Sequence, residues 1–214
     1  MKRRTLDIIF SIGGLMLAVL VLMLGVVLRS NAVFAKDYVR DQLTEQRITF
    51  TPAENLSPEE QQSAGLIRNA GQPLVTGSQA QVYANDYIGP HLAAVNDGQT
   101  YSETSGAARA ARAAATEATD TGASNAADLG QEATVLEGKV QTLFRGETLR
   151  GLLLTAYGFS VFGEKAMLAA WVCFIAGFVL LLAAAAGFVH AFRTSKSEAF
   201  APVETPVSQP VAVA

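Results

Sequence analysis

With 214 residues, the chain has the length of one ordinary domain or two small ones. Its net charge of −3 is too small to point to a nucleic-acid partner, and its single cysteine, Cys173, excludes an intramolecular disulfide. Half of the residues are hydrophobic, and they gather in two uncharged blocks near the ends, which is the composition of a membrane protein rather than of a soluble enzyme.

Residues 1–7 form a basic leader to the first block, with Lys2, Arg3 and Arg4. Ile8–Leu28 then holds fourteen Leu, Ile, Val or Phe in twenty-one residues. At roughly −0.3 to −0.6 kcal/mol apiece, these favour helix insertion into a bilayer. A secretory signal is the competing reading, because Val33-Phe34-Ala35 offers small residues at cleavage positions. The apolar stretch exceeds the roughly 7–15 residues of a signal, however, and Arg29 separates it from that site. An uncleaved anchor is expected.

Residues 29–166 read as a helical domain outside the cytoplasm. The first helix continues past the apolar block as a stalk, since Val33, Phe34, Tyr38 and Leu43 keep an apolar face among charged neighbours. Ile48–Thr51 is expected to be extended, and Pro52 to end it. Ser57-Pro58-Glu59-Glu60 has the cap, proline and capping-box glutamate of a helix start, predicting a helix to about Asn69 that Gly71 and Pro73 stop. A third helix over Ser78–Asn96 would bury Val82, Tyr83, Ile88, Leu92 and Val95, with Tyr87 beside them and Pro90 kinking or splitting it. Asn96-Asp97-Gly98 reads as a turn. The Ala-rich stretch Gly106–Ala118 is a helix former with little to bury, and the polar stretch 119–130 reads as a mobile linker.

Val135–Tyr157 predicts an amphipathic helix, with Leu136, Val140, Leu143 and Phe144 on one stripe. Gly151–Gly163 is apolar all round but too short to cross a bilayer. It could lie in the membrane interface, pack beneath the domain, or run on towards the second block. That block, Met167–Val189, contains eleven Leu, Ile, Val or Phe. Ala170, Cys173, Gly177, Ala184 and Gly187 give it a face of small residues on which the first block or a second copy of the chain could pack closely. Residues 190–214 read as a disordered cytoplasmic tail with Arg193 and Lys196. Basic residues at both outer flanks place both ends in the cytoplasm, at the plasma (inner) membrane.

Residues able to carry chemistry are sparse. His91 falls in the outer domain and His190 at the inner end of the second block, so this topology puts a membrane between them and denies them a shared metal. No nucleophile elbow, P-loop or dinucleotide fingerprint occurs. Glu59 and Glu60 are explained by the helix start. Hence no catalytic, cofactor-binding or metal-ligating residue is assigned. The group Arg145, Glu147 and Arg150 allows two readings: pairing along the helix surface, or contact with lipid phosphates or a partner carboxylate. The apolar run Leu152, Leu153 and Leu154, placed outside the bilayer, needs cover from lipid, from the domain core or from another protein.

Three stretches, Tyr83–Leu92, Asp97–Tyr101 and Val140–Phe159, together with the two apolar blocks, resemble a family of actinobacterial membrane proteins of unknown function, often labelled "aromatic ring-opening dioxygenase". The resemblance covers most of Met1–Val189, the Ala-rich segment near Gly106–Gly130 being an insertion. It implies the two-span topology. The label implies a non-haem iron held by two histidines and a carboxylate, for which this chain offers one histidine on each side of the membrane. The reading expected is a mainly α, non-catalytic envelope protein whose helical outer domain binds or positions another membrane or envelope component. Membrane lipid and a protein partner, or a second copy joined through the membrane helices, are its expected partners. A sensory subunit and a small oligomeric channel or transport subunit are the alternatives, and the dioxygenase comes last.

Overall fold

The structure, a computed structural model, describes residues 3–194. It is mainly helical, with no strand among the described residues. The chain forms two compact units: one from the segments up to Asn31 and from Ala166 onward, the other from Ala32–Lys165.

The first unit pairs the apolar parts of two long helices, α1 (Arg3–Glu45) and α6 (Ala126–Arg193). Ser11, Ala18 and Gly25 on α1 are buried at seven-residue spacing, and so are Ala170, Gly177, Ala184 and Ala191 on α6. A repeat of seven keeps one seam of a helix facing its partner along the pair. The small residues bring the backbones close: a methyl group built on Gly177 would stand 2.6 Å from Leu22 Cγ, and one on Gly25 would stand 2.9 Å from Phe174 Cε1. Cys173, half-buried, borders the same contact, as its Cβ lies 3.2 Å from that Gly25 position. The expected face of Ala170, Cys173, Gly177, Ala184 and Gly187 is therefore taken up by the first apolar block of the same chain. At one end of the pair Arg4 lies over the Phe192 ring at 5.8 Å, and His190 Nε2 is 3.8 Å from Asp7 Oδ2. Both helices are long and apolar enough to cross a membrane, and only 17% and 11% of their most apolar windows are buried.

The second unit is built on the last turns of α1 and the first half of α6. Arg47, at φ 53°, ends α1 by turning left-handed. The expected extended stretch follows, as Leu74 N–H donates to Ile48 C=O and Phe50 N–H to Gln72 C=O. Phe50 enters the core edge-on to Tyr83, with centroids 5.3 Å apart. Around it gather Val39 and Leu43 from α1, Leu56, Leu66 and Leu74 from the connecting segment, and Leu143 and Leu153 from α6.

Several elements depart from expectation for identifiable reasons. The capping box at Ser57 forms, with Ser57 N–H donating to Glu60 Oε2 at 2.8 Å and Glu60 N–H to Ser57 Oγ at 3.2 Å. It starts only a 3-10 turn, Glu60–Gln62. Ser63 is held extended, accepts from Leu66 N–H, and donates to Asp86 Oδ2 at 2.6 Å, so α2 (Ala64–Asn69) begins afresh there. A side-chain bond to a residue twenty-three positions away decides this break.

The third predicted helix is a run of α3 (Gly77–Val82), a π-helical turn (Tyr83–Ile88) and α4 (Gly89–Val95). The irregularity that Pro90 imposes lies ahead of it. Gly89 N–H reaches Ala84 C=O, one residue further than α-helical bonding, and this wider turn gives the proline ring room it lacks in a regular helix. Ile88 and Leu92 join the core, while Val82, Tyr83, Tyr87 and Val95 pack against it half-buried.

Asp97 and Gly98 turn with positive φ, as their types allow. α5 (Tyr101–Asp120) starts five residues before the expected Ala-rich helix, because Thr100 and Glu103 form a capping box. The expected linker 119–130 is corrected to a shorter break: α5 continues to Asp120 and α6 begins at Ala126. Likewise Val135–Tyr157 is not a separate helix, and Gly151–Gly163 runs on towards the second block, one of the courses expected for it. Both belong to α6, which continues to Arg193 and so takes in the first residues assigned to the tail. Lys2, Lys196 and the tail from Ser195 onward lie outside the described residues.

Candidate functional site

Three leucines in succession on a helix must point in three directions, each turned 100° from the last. Leu153 is only 3% exposed and belongs to the core of the second unit, and Leu154 packs against that core. Leu152 is 64% exposed. Of the three covers expected for the triplet, the domain core takes Leu153 and Leu154, while Leu152 faces outward.

Leu152 forms one wall of a groove of about 350 Å³ between the end of α1 and the middle of α6. On the α6 side Leu149, Leu152, Ala156 and Phe159 recur at i, i+3, i+7 and i+10. On the α1 side Val39 and Leu43 form the floor, joined by Ile48. Tyr38 closes edge-on against Phe159, with centroids 5.9 Å apart, and stacks on Phe34 at 5.8 Å. The polar lining is Gln42, Gln46, the Tyr38 phenol and Thr155, whose hydroxyl is spent on Gly151 C=O at 2.8 Å. No residue lining the groove carries a charge. Such a surface favours an uncharged, apolar occupant and offers it amide hydrogen bonds.

Arg150 reaches back to the π-helical turn of its own unit. Its Nε donates to Ala84 C=O at 3.2 Å and its Nη2 to Asn85 Oδ1 at 3.3 Å, with Glu147 at 3.5 Å from Nη1. The guanidinium thus pins the π-helical turn to α6. Helix-surface pairing with Glu147 is present, but the contact that matters reaches sixty-six residues back along the chain. Arg145 and Glu147 are exposed, and Arg145 makes no contact comparable with that of Arg150 to the π-helical turn.

A second cleft, about 490 Å³, lies between α5 and α6. It is polar: Arg112 pairs with Glu137, while Arg109 and Tyr101 line the opening. Beside it Lys139 Nζ donates to Asn96 Oδ1 at 2.7 Å, and Asn96 Nδ2 donates to Gln99 and to the fully buried Thr104. This network satisfies the buried amide and ties the 96–104 turn to α6. Burial pushes the Tyr83 phenol up from its ordinary value, with Tyr87 adding to it, whereas hydrogen bonds from Thr100 hold the Glu103 carboxyl below its own.

His91 is exposed, its Nδ1 2.7 Å from Tyr87 C=O and its ring 4.5 Å from that of Tyr87. Glu60, 3.9 Å from Nε2, is committed to its cap. One histidine beside one occupied carboxylate does not fit the iron site of a ring-opening dioxygenase, which needs a second histidine.

The groove was only half visible in the sequence. Tyr38 and Leu43 stood out on the apolar stalk face. Gln42, Gln46, Leu149 and Phe159 did not, although the i, i+4 spacing of the two glutamines and the i, i+3, i+7, i+10 spacing of Leu149, Leu152, Ala156 and Phe159 are the signal that joins them. The chain matches no family model, no curated protein and no solved structure.

Proposed function

We propose that this protein spans the plasma membrane of the cell envelope twice, with both ends in the cytoplasm, and that its helical unit 32–165 binds or positions another membrane or envelope component without catalysing a reaction. The charge-free groove between α1 and α6 carries this reading, because it is an apolar surface that nothing in the unit's own core covers. The span assignment draws on the uncovered apolar sides of both helices, which no core among the described residues buries and which lipid would accept. The orientation draws on the basic flanks and on the Arg4–Phe192 contact, which bring both flanks to one end of the helix pair. Arg145 supplies exposed positive charge on the same helix.

A sensory subunit is the second reading. It is favoured by α6, which runs from Ala126 to Arg193 without a break and so joins the outer unit to the second span through one helix.

Two experiments test the proposal. Introduced thiols at Ser63 and Ser124 should react with a membrane-impermeant reagent on spheroplasts while one at Ser195 stays protected; the opposite pattern overturns the orientation. A photo-crosslinking residue at Leu152 should capture a component in native membranes that the same residue at exposed Arg68 does not. Equal capture at both positions, or none at either, overturns the binding role.

A further inference from the structure

The groove has a direction. Along α6 the exposed apolar residues Leu152, Phe159 and Phe162 follow one another, at 64%, 39% and 74% exposure. Along α1 Phe34 and Tyr38, stacked on each other, do the same, at 60% and 50%. Both series run towards the end of unit 32–165 at which its two helices enter their apolar blocks. Phe162 is three residues from Lys165, about 5 Å along a helix axis, which is comparable with the thickness of a headgroup layer. Leu152 lies ten residues further, about 15 Å. An apolar track thus leads away from the membrane end of this unit into the groove.

The chemistry of the lining narrows what the track could hold. A peptide partner brings backbone amides and, as a rule, charged neighbours that need partners when buried. The groove offers no charge, and its amides are Gln42 and Gln46 alone. A hydrocarbon chain asks for none of these. The volume of about 350 Å³ sits at the low end of pockets that enclose a small ligand, which suits one chain and not a helix or strand. The α5–α6 cleft differs in that Arg109, Arg112 and Glu137 line it with charge.

Resting on the binding role proposed above, we infer that the groove takes one acyl chain of a membrane lipid, drawn from the outer leaflet past Phe34 and Phe162 and covered by Leu152, Tyr38 and Phe159. The outer unit would then grip or lift a lipid rather than dock a protein.

The test uses the full chain reconstituted in phosphatidylglycerol vesicles doped with a phosphatidylglycerol that carries a diazirine at the end of one acyl chain. After illumination, adducts should map to Leu149–Phe159 and to the Tyr38–Ile48 segment as well as to the two spans. Leu152→Glu places a carboxylate in the groove at a position exposed enough to spare the fold, and should lower groove adducts at least about tenfold relative to span adducts. Thr155→Trp, which fills the groove with bulk instead of charge, should do the same. Adducts confined to the spans, or groove adducts unchanged in both variants, overturn the inference. If the Leu152 photo-crosslinker captures a protein while lipid adducts stay in the spans, the lipid is wrong and the binding role survives. If neither reagent reports anything at the groove, both fall.

Discussion

Glycines in one helix give a sharp check on the packing of unit 32–165, because the same substitution should stabilise at one site and destabilise at another. Gly138 and Gly146 both lie inside α6. A methyl group on Gly138 meets nothing within 4 Å, whereas one on Gly146 lands on the Leu92 side chain, with Cγ 3.1 Å and Cδ1 3.2 Å away. Leu92 is only 7% exposed, so it cannot swing aside into solvent. Alanine in place of glycine within a helix gains about 0.5–1 kcal/mol by restricting the unfolded chain and favouring the helix. Both variants share that gain, so the difference between them isolates the cost of overpacking, about 1–3 kcal/mol. In a chain of this size each kcal/mol moves the melting temperature by roughly 2–4 °C. Gly138→Ala should therefore melt a little above the parent and Gly146→Ala below Gly138→Ala by roughly 2–12 °C, followed by far-UV circular dichroism in a mild detergent. If Gly146→Ala rises as far as Gly138→Ala, α4 and α6 do not approach as closely as described, and the placement of the π-helical turn against α6 is wrong with it.

Arg150→Gln should cost about 1.5–3 kcal/mol by releasing Ala84 C=O and Asn85, while Arg145→Gln stays within about 0.5 kcal/mol of the parent; equal effects in thermal melts would refute the pinning role. Leu153→Ala should cost about 2–5 kcal/mol and Leu152→Ala far less, in the same assay, since only the first leaves a cavity. The Glu103 carboxyl, held below its ordinary value by Thr100, contributes stability that is present above the ordinary carboxylate range and is lost as pH falls through the lowered value. Glu103→Gln should flatten that acid limb of a pH–melting curve, and an unchanged limb would show that the cap contributes nothing.

Local signals announced most of the elements. Two uncharged blocks of twenty-one and twenty-three residues could only be long apolar helices, the turn at Asn96-Asp97-Gly98 followed from residues that tolerate positive φ, and the capping box at Ser57 formed as its spacing required. These depend on neighbours a few residues away, and a single sequence contains all of them. The small face Ala170, Cys173, Gly177, Ala184 and Gly187 was also legible, but whether it met the first block or a second copy was not, since either choice satisfies the same pattern.

Tertiary contacts decided the rest. A side-chain bond from Ser63 to Asp86 cut one helix in two, and Arg150 reached sixty-six residues back to steady a turn that Pro90 had widened. Leu152, Leu153 and Leu154 looked alike in sequence, yet Leu153 and Leu154 meet the core and Leu152 faces outward, because helical rotation turns each in a different direction. The groove has the same origin: its walls lie on α1 and α6, a hundred residues apart, and hydropathy along one strand of text cannot say which two apolar stripes will leave a gap between them. That depends on where the helices between them, α2 to α5, come to rest.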